Sequence, residues 1–179
     1  MHQLPNEAVT HNGRFHADDV FSAALLKILN PEIHISRVST VPENFDGIVF
    51  DLANGAFDHH NSNKKCRENG IPYASFGLLW NEYGHTLVSE SAAKTFDESF
   101  IQPLDTQDNY GGNNMLCRAI TQANPKWDSS EDPDECFFKA VDIIFCFDIL
   151  HRNDLHMTSS IMSSRCILDI KPECLNTSI

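Results

Sequence analysis

Aspartate and histidine side chains occur at three places in this sequence where apolar segments end, and they have the chemistry of metal ligands. Several carboxylates that share one crevice repel each other, and a bound cation removes that cost. Aspartate oxygens and histidine nitrogens without thiolates favour Mn²⁺, with Mg²⁺, Fe²⁺ or Zn²⁺ as alternatives, and enough ligands are present for two ions. The residues concerned are His11, His16, Asp18, Asp51, Asp58, His59 and His60.

The stretch between His11 and the first predicted helix also has a simpler structural interpretation. Asp18 or Asp19 could cap that helix, whose N-terminus favours nearby anions. For either aspartate alone the helix cap is the preferred interpretation. A purely structural role is harder to accept for the acids and histidines at all three places together. Two divalent cations about 3.5 to 4 Å apart, bridged by a carboxylate and a water or hydroxide, are a recurrent device for attack on phosphorus. The pattern therefore favours phosphoester chemistry.

The elements that must position these side chains follow an order typical of α/β proteins. A short apolar run from residue 7 ends at His11, a helical pattern extends from Asp18 to Asn30, and strands are predicted at 33–38, 47–52 and 56–57. Further helices are predicted at 73–83, 91–108, 115–122 and 134–152. In an open α/β sheet the carboxyl ends of neighbouring strands meet at one crevice, so we expect the acids and histidines to converge there.

The composition bounds the class of protein and of partner. The chain has 179 residues, 25 acidic and 13 basic side chains and a formal net charge of -12, and its length suits one domain. That charge argues against a broad nucleic-acid-binding face, which needs clustered Lys and Arg. No apolar run approaches the roughly 20 residues of a membrane span. Six cysteines without a C-x-x-C pair, and a start without a signal peptide, favour a reducing compartment such as the cytoplasm.

Five motifs in order resemble the DHH phosphoesterase superfamily, and more narrowly its branch of metal-dependent hydrolases that includes MYG-type 3'-5' exonucleases. Asp58-His59-His60 resembles the triplet that names the superfamily, and the stretch from Thr10 to Asp19 resembles the motif T-H-x-G-x-F-H-x-D-D/E. The other three are Ile48-Val49-Phe50-Asp51, Leu104-Asp105-Thr106-Gln107-Asp108-Asn109 and Asn124-Pro125-Lys126-Trp127. The resemblance implies a three-layer α/β sandwich, with a mostly parallel sheet of about five strands flanked by helices.

The resemblance also implies roles for the matching residues. The metal ligands would be His11, His16, Asp18, Asp51, His59 and Asp105, with Asp51 bridging two ions. His60 would contact the phosphoryl group or donate a proton, and it forms the predicted catalytic set with Asp51 and Asp58. Asp19 and Asp108 would contact the metal ligands rather than the ions and so orient them. Asp58 could orient a histidine through its other nitrogen instead of acting in catalysis.

Two further features concern the substrate. Lys64, Lys65 and Arg67 form a basic cluster directly after the triplet, and with Arg14 they are candidate contacts for a substrate phosphate; a solvated loop is the alternative. We expect a metal-binding catalytic domain at 1–152 and a tail or linker at 153–179, with one apolar run at 166–170. Members of the resembled family continue into a second, substrate-binding domain that we expect to be absent here, so a homo-oligomer or a partner chain could supply that half.

The sequence thus predicts a soluble Mn²⁺-dependent phosphoesterase, with exonuclease-like hydrolysis of short RNA or DNA ends, or of nucleotides. Two alternatives stay open. One is a non-catalytic metal-binding or interaction domain, and the other is a pyrophosphatase-like activity. The first-motif spacing, His-x4-His-x-Asp rather than His-x3-Asp-x-Asp, favours the exonuclease-like branch.

Overall fold

A small parallel β-sheet lies at the centre of the computed structural model, which describes residues 4–60 and 64–152. The strands are β1 (Glu7–His11), β2 (His34–Val38) and β3 (Ile48–Val49), and their order in the sheet is β2-β1-β3 with both pairings parallel. Residues 8–10 of β1 are all buried, as expected for a central parallel strand that is covered on both faces. The covered strand ends at His11, which is only partly buried.

Helices surround this sheet and contribute most of the described structure. They are α1 (Ala17–Leu29), α2 (Ser75–Tyr83), α3 (Glu90–Phe96), α4 (Gln102–Tyr110), α5 (Met115–Gln122) and α6 (Pro133–Arg152). A 3-10 turn at Gly84–Thr86 follows α2, and a π-helical turn at Asp97–Ile101 joins α3 to α4. The side chains of α1 from Ala17 to Leu26 are buried because α1 packs against α2, α4, α5 and α6. None of the helices that the structure describes is long and apolar enough to cross a membrane.

The hydrophobic core forms where α1 meets its neighbours. Phe15, just before α1, packs edge-on against Phe137 of α6 with 5.7 Å between ring centroids, and both side chains are fully buried. Phe21 of α1 stacks on Phe76 of α2 at 5.2 Å. Burial of each such side chain contributes about 1.5–3 kcal/mol. The core therefore fixes the start of α1, where Asp18 and Asp19 lie, against two other helices.

The predicted α/β class is confirmed, but the sheet is smaller than predicted. The described residues contain three strands, where about five were expected, and the strand predicted at 56–57 is a single parallel bridge between Phe50 and Phe57. Asp51, Ala53 and Asn54 have φ values of 51°, 63° and 55°, which turn the chain out of the extended conformation. The predicted run at 166–170 and the tail at 153–179 lie outside the described residues.

The predicted helices all have counterparts in the structure, with one difference in geometry. The helix predicted at 91–108 is a continuous helical run from Glu90 to Tyr110 that contains the π turn. A π turn holds one more residue than an α turn, so it shifts the phase of every residue that follows. Side chains on α4 consequently face directions that an uninterrupted α-helix would not give them.

Candidate metal centre

Side chains from five segments meet at the carboxyl end of the sheet. Strands β1 and β3 are parallel neighbours, so the residues that end them lie at the same edge. Helix α1 begins at this edge, and the last turn of α4 packs beside it. The assembled side chains are His11 from β1, His16 just before α1, Asp18 and Asp19 from α1, Asp51 after β3, His59 and His60 after the Phe57 bridge, and Asp108 from α4.

Asp51 lies at the centre of the assembly. Its Oδ2 is 3.2 Å from Nε2 of His11, whereas its Oδ1 is 3.2 Å from Nε2 of His59 and 3.3 Å from Nδ1 of His60. Ser75, at the start of α2, donates a hydrogen bond to Oδ1 at 3.1 Å. The left-handed φ of 51° costs a non-glycine residue about 1–3 kcal/mol, and such strain is typical of functional sites. The two oxygens of Asp51 face different histidines, which suits a carboxylate shared by two ions.

The donor atoms form three groups in which all atoms lie within 4.8 Å of one another. The groups are Asp51, His59 and His60; His11, Asp19 and Asp51; and His16, Asp18 and Asp108. Nε2 of His59 joins the first group to the third, at 3.1 Å from Oδ2 of Asp108 and 3.4 Å from Oδ2 of Asp18. Because Asp51 and His59 each face two of the groups, the donors make one continuous cluster of carboxylates and imidazoles.

Several buried atoms of this cluster have no hydrogen-bond partner among the described residues. They are both oxygens of Asp18, Oδ2 of Asp19 and both nitrogens of His59. Neighbouring donors and acceptors lie close, but none of the pairs is aligned as a hydrogen bond. A buried polar group without a partner costs about 1–3 kcal/mol. A divalent cation would accept lone pairs from the carboxylate oxygens and from one nitrogen of His59, so the unpaired atoms and the donor types both fit a metal site.

The protonation of the cluster also reflects its crowded carboxylates. Asp19 and Asp51 raise the pKa of His11 to about 10. Burial would lower the pKa of His59, but Asp108, Asp18 and Asp51 outweigh it and raise the pKa to about 12. Burial and the charges of Asp51 and Asp108 raise the pKa of Asp18. In the absence of metal His11 and His59 are therefore protonated and neutralise part of the carboxylate charge.

Asp58 and His60 occupy the rim of the site. The carboxylate of Asp58 accepts hydrogen bonds from the backbone N–H groups of Asn54 at 2.6 Å and of His60 at 3.0 Å, and its Oδ1 lies 2.8 Å from Nδ1 of His60. Asp58 is thus placed to hold the loop and to orient His60 rather than to join the three groups. The side chain of His60 is 61% exposed, which leaves its ring accessible to a substrate.

Asp105 and Arg67 lie elsewhere than the sequence predicted. Arg67 is buried, not exposed to substrate: its guanidinium binds Asp97, lies 2.7 Å from Oδ2 of Asp105, and packs over the ring of Tyr73 at 3.9 Å. Asp105 is fully buried beside it and belongs to none of the three groups. Burial raises the pKa of Asp105 to about 7, although Arg67 opposes the shift. The pair ties the loop after the triplet to the helical run from α3 to α4.

Asp108, one turn after Asp105, faces the cluster instead. It was expected to support the ligands from behind, as was Asp19, but both have oxygens within the groups. Sequence reasoning missed Ser75, which binds Asp51, because nothing in a serine at a helix start distinguishes a ligand partner from an ordinary cap. The D-x-x-D-N segment indicated both aspartates, Asp105 as a ligand and Asp108 as a supporting residue.

A groove of about 620 Å³ opens beside the cluster. Its lining includes His16, His59, His60 and Asp108, together with Lys64, Arg118 and several amide and hydroxyl side chains. Lys64 also donates to Oδ1 of Asn109 at 2.7 Å. The other three predicted phosphate contacts lie outside this lining: Lys65 lines a smaller cavity of about 70 Å³, Arg14 donates to the backbone carbonyl of Thr121 at 3.3 Å, and Arg67 is buried.

The donor set suits a hard or borderline divalent cation. All donors in the three groups are carboxylate oxygens and imidazole nitrogens. Cys117 lines the groove, but burial, with the charges of Asp108 and Asp18, raises the pKa of its thiol to about 11. The thiol is therefore protonated at neutral pH and is a poor ligand.

Comparison with known proteins places the chain among named relatives. A family model labelled MYG1 exonuclease and described as "Uncharacterised protein family (UPF0160)" matches residues 7–168. The MYG1 exonuclease of Homo sapiens is 24% identical over 196 residues, covering 87% of this chain and 52% of the relative. The MYG1 proteins of Dictyostelium discoideum and Caenorhabditis elegans are 26% and 28% identical; each alignment covers 75% of this chain, and 52% and 51% of the relatives. The chain spans about half the length of these curated relatives. No solved structure matches it.

Proposed function

The chain belongs to the uncharacterised protein family UPF0160, and on that premise we propose that it is a metal-dependent phosphoesterase that removes nucleotides from the ends of short RNA or DNA. Two relatives with the name exonuclease, from Homo sapiens and Bos taurus, support hydrolysis of a nucleic acid. Membership of the DHH superfamily is part of the proposal and rests on Asp58-His59-His60 and its companion motifs.

The observation that carries the proposal is the cluster of carboxylates and imidazoles with unpaired buried atoms beside an open groove. Asp51 would be shared by two cations. His11 and Asp19 would hold one of them, and His59, Asp18 and Asp108 the other, with His16 beside the second. We propose Mn²⁺ first, and Mg²⁺, Fe²⁺ or Zn²⁺ as alternatives.

The chemistry follows from what these residues can bind and move. Divalent cations, when bound, polarise phosphoryl oxygens and lower the pKa of an attacking water. Asp58 orients the ring of His60 through Nδ1, so that Nε2 can donate a proton to the leaving oxygen. Lys64 and Arg118 line the groove and would bind a neighbouring phosphate. A groove of about 620 Å³ has the size of a small-ligand site, so one or two nucleotides would fit in it.

The domain, partner and compartment predictions remain part of the proposal. Residues 1–152 would form the metal-binding catalytic unit, and a second copy or a partner chain could complete the substrate site. The cytoplasm stays a prediction from the cysteine pattern.

One experiment tests the function directly. The purified chain is titrated with Mn²⁺ to measure bound metal, and then assayed on bis(p-nitrophenyl) phosphate, a short RNA labelled at either end, and pyrophosphate. We expect phosphodiester hydrolysis from one RNA end, and a loss of about 100-fold or more in Asp51→Ala, because it removes the central ligand. Asp46→Ala is the matched control, since Asp46 is exposed and outside the three groups.

The possible results separate the alternatives. Metal binding without turnover of any substrate would indicate a non-catalytic metal-binding domain. Turnover of pyrophosphate alone would indicate the pyrophosphatase-like activity. A chain that binds no metal, even on reconstitution at several pH values, would overturn the proposal.

A further inference from the structure

The loop from β1 to α1 has no regular secondary structure, but hydrogen bonds hold its backbone at almost every residue. The N–H of Asn12 donates to the carbonyl of Val38 at 3.1 Å, and the carbonyl of Gly13 accepts from the guanidinium of Arg37. The N–H of His16 donates to Oδ1 of Asp19 at 3.0 Å. Between these points, both backbone groups of Phe15 are bound by one distant side chain.

That side chain is Asn124, which lies just after α5 and 109 residues away in sequence. Its Oδ1 accepts from the N–H of Phe15 at 2.9 Å, and its Nδ2 donates to the carbonyl of Phe15 at 2.7 Å. Nδ2 also donates to the carbonyl of Thr121 at 3.0 Å. Only a side-chain amide offers a donor and an acceptor side by side in this way. Aspartate has the same shape but two acceptors, and glutamine is one methylene longer.

The position of this double hydrogen bond matters because the next residue is His16. The side chain of His16 is exposed, so packing does not fix its direction, yet its ring lies in one group with the carboxylates of Asp18 and Asp108. An exposed side chain reaches a fixed point reliably only when its backbone is fixed. Phe15 supplies that fixed backbone, since its ring is buried against Phe137 and its peptide groups are bound by Asn124.

We infer that Asn124 is a positioning residue for the metal centre: it holds the backbone of Phe15 so that His16 reaches the group it forms with Asp18 and Asp108. The inference rests on the proposed function, because it presumes that this group binds a cation. It assigns a role to the Asn124-Pro125-Lys126-Trp127 segment, which lies outside the cluster itself.

The test compares Asn124→Asp with a matched variant of the same chemistry. Asn30 is also half-buried, and its amide also joins loop backbone: Nδ2 donates to the carbonyl of Pro5 at 3.3 Å, and Oδ1 accepts from the N–H of Glu32 at 3.1 Å. It lies at the opposite end of α1 from the cluster. We expect Asn124→Asp to weaken Mn²⁺ binding about 10- to 100-fold, measured by calorimetry. Asn30→Asp should stay within about twofold of the unmodified chain.

A double-variant cycle separates positioning from simple loss of stability. In a His16→Ala background, Asn124→Asp should have no further effect on Mn²⁺ affinity, because the residue it positions is absent. Thermal unfolding of the metal-free variants measures stability independently. If Asn124→Asp does not fold, Asn124→Ser is measured instead, since its hydroxyl can bind only one of the two Phe15 groups at full strength.

The outcomes distinguish the two proposals. An unmodified chain that binds no Mn²⁺ overturns the metal centre and this inference together. An unmodified chain that binds Mn²⁺, with Asn124→Asp binding equally well, overturns the inference alone. Equal losses with and without His16, or equal losses in Asn124→Asp and Asn30→Asp, would also overturn it, because they would show a general effect on the fold.

Discussion

Asp105 and Asp108 lie one turn apart on α4, and the structure gives their carboxylates different partners. Asp105 is fully buried against Arg67, whereas Asp108 is half-buried and lies 3.1 Å from Nε2 of His59. One carboxylate therefore stabilises the packing of the helix, and the other faces the proposed cations. Substitutions at the two positions should have separate effects, because Asp105 and Asp108 lie on the same helix but contact different residues.

Exchanging each aspartate for asparagine tests this division. Asp108→Asn should weaken Mn²⁺ binding about tenfold or more with little loss of stability, because it removes a proposed ligand from a crowded set of acids. Asp105→Asn should destabilise the fold by about 1–3 kcal/mol, because Arg67 loses a buried charged partner. Calorimetric titration and thermal unfolding measure the two effects. A larger loss of affinity in Asp105→Asn than in Asp108→Asn would place the ligand one turn earlier.

The sequence predicted Asp105 as a ligand and Asp108 as a supporting residue, whereas in the structure Asp108 lies in a group of possible ligands and Asp105 does not. Residues three apart on an α-helix share a face, so spacing alone does not separate Asp105 from Asp108. The π turn at Asp97–Ile101 then shifts the phase of α4, and no pattern in the sequence announces that turn. The placements of His11, Asp51 and His59 were easier to predict, because each ends an apolar segment at the edge of a parallel sheet.

The raised pKa values of His11 and His59 predict that metal binding and proton release are coupled. The pKa of His11 is about 10 and that of His59 about 12, so both carry protons at pH 7.5 when no metal is bound. Binding of the two proposed cations must displace the protons of both His11 and His59, so at least two protons should leave per chain, and affinity should rise with pH. Titration in two buffers of different ionisation enthalpy counts them. Metal binding to His11→Gln should release one proton fewer. Release of no protons by the unmodified chain would contradict the protonated state assigned to His11 and His59.

The same pKa shifts determine the pH dependence of stability in the metal-free chain. The pKa of His11 is raised above its unfolded value of 6.5, so its contribution to stability is complete below about pH 6.5 and is lost as pH rises through about 10. The melting temperature without metal should therefore fall between pH 7 and 10. Saturating Mn²⁺ should reverse that trend, since the cation then replaces the protons. A melting temperature that rises over this range in the absence of metal would contradict the assignment.

At the scale of elements, the close approach of α2 to α4 depends on Gly77. A Cβ at position 77 would overlap Oδ2 of Asp105 and lie only 2.7 Å from Nη2 of Arg67 and 2.9 Å from Cγ of Asp105. Gly-to-Ala changes inside helices usually stabilise by up to about 1 kcal/mol. In this case the effect should have the opposite sign. Gly77→Ala should destabilise the fold by about 1–3 kcal/mol, because the added methyl group would clash with two buried side chains, Asp105 and Arg67. Thermal unfolding measures the change.

Two variants isolate the cause of that effect. Glu82→Ala on the same helix is exposed, so its effect should stay within about 0.5 kcal/mol. In an Asp105→Ala background the penalty of Gly77→Ala should shrink, because the overlapping carboxylate is gone. An unchanged penalty there would mean that the close approach is not its origin.

Helices and strands with strong periodic patterns were predictable, and the short irregular elements between them were not. Helix α5 has the predicted bounds because Asn114 caps it and its apolar residues recur at helical spacing. The expected strand at 56–57 is only a bridge because three left-handed residues precede it, and all three, Asp51, Ala53 and Asn54, are not glycine. Where a non-glycine residue adopts positive φ, tertiary contacts override local preference, and sequence patterns do not show such contacts.

At the scale of the whole molecule, the acidic residues fall into two sets: those of the candidate metal centre and those of the remaining surface. Residues 1–96 carry 11 acidic and 7 basic side chains, and four of those acids are Asp18, Asp19, Asp51 and Asp58 at the site. The excess of acids outside the site falls mainly on residues 97–154, with 12 acidic and 4 basic side chains. Bound cations would offset the local charge of the centre and leave the remaining acidity to repel the nucleic-acid backbone.

This distribution predicts that an oligonucleotide is held by few phosphate contacts and at its end. Lys64 and Arg118 are the cations that line the groove among the described residues, so a single strand should bind with a salt slope of about -0.7 to -1.4. Fluorescence anisotropy of a phosphorothioate oligonucleotide in Mn²⁺ measures that slope. Arg118→Ala should reduce it by about 0.7, whereas Lys139→Ala on α6, outside the groove, should leave it unchanged. A slope steeper than about -3 would require more than about four phosphate contacts, and so a basic surface that the groove does not provide.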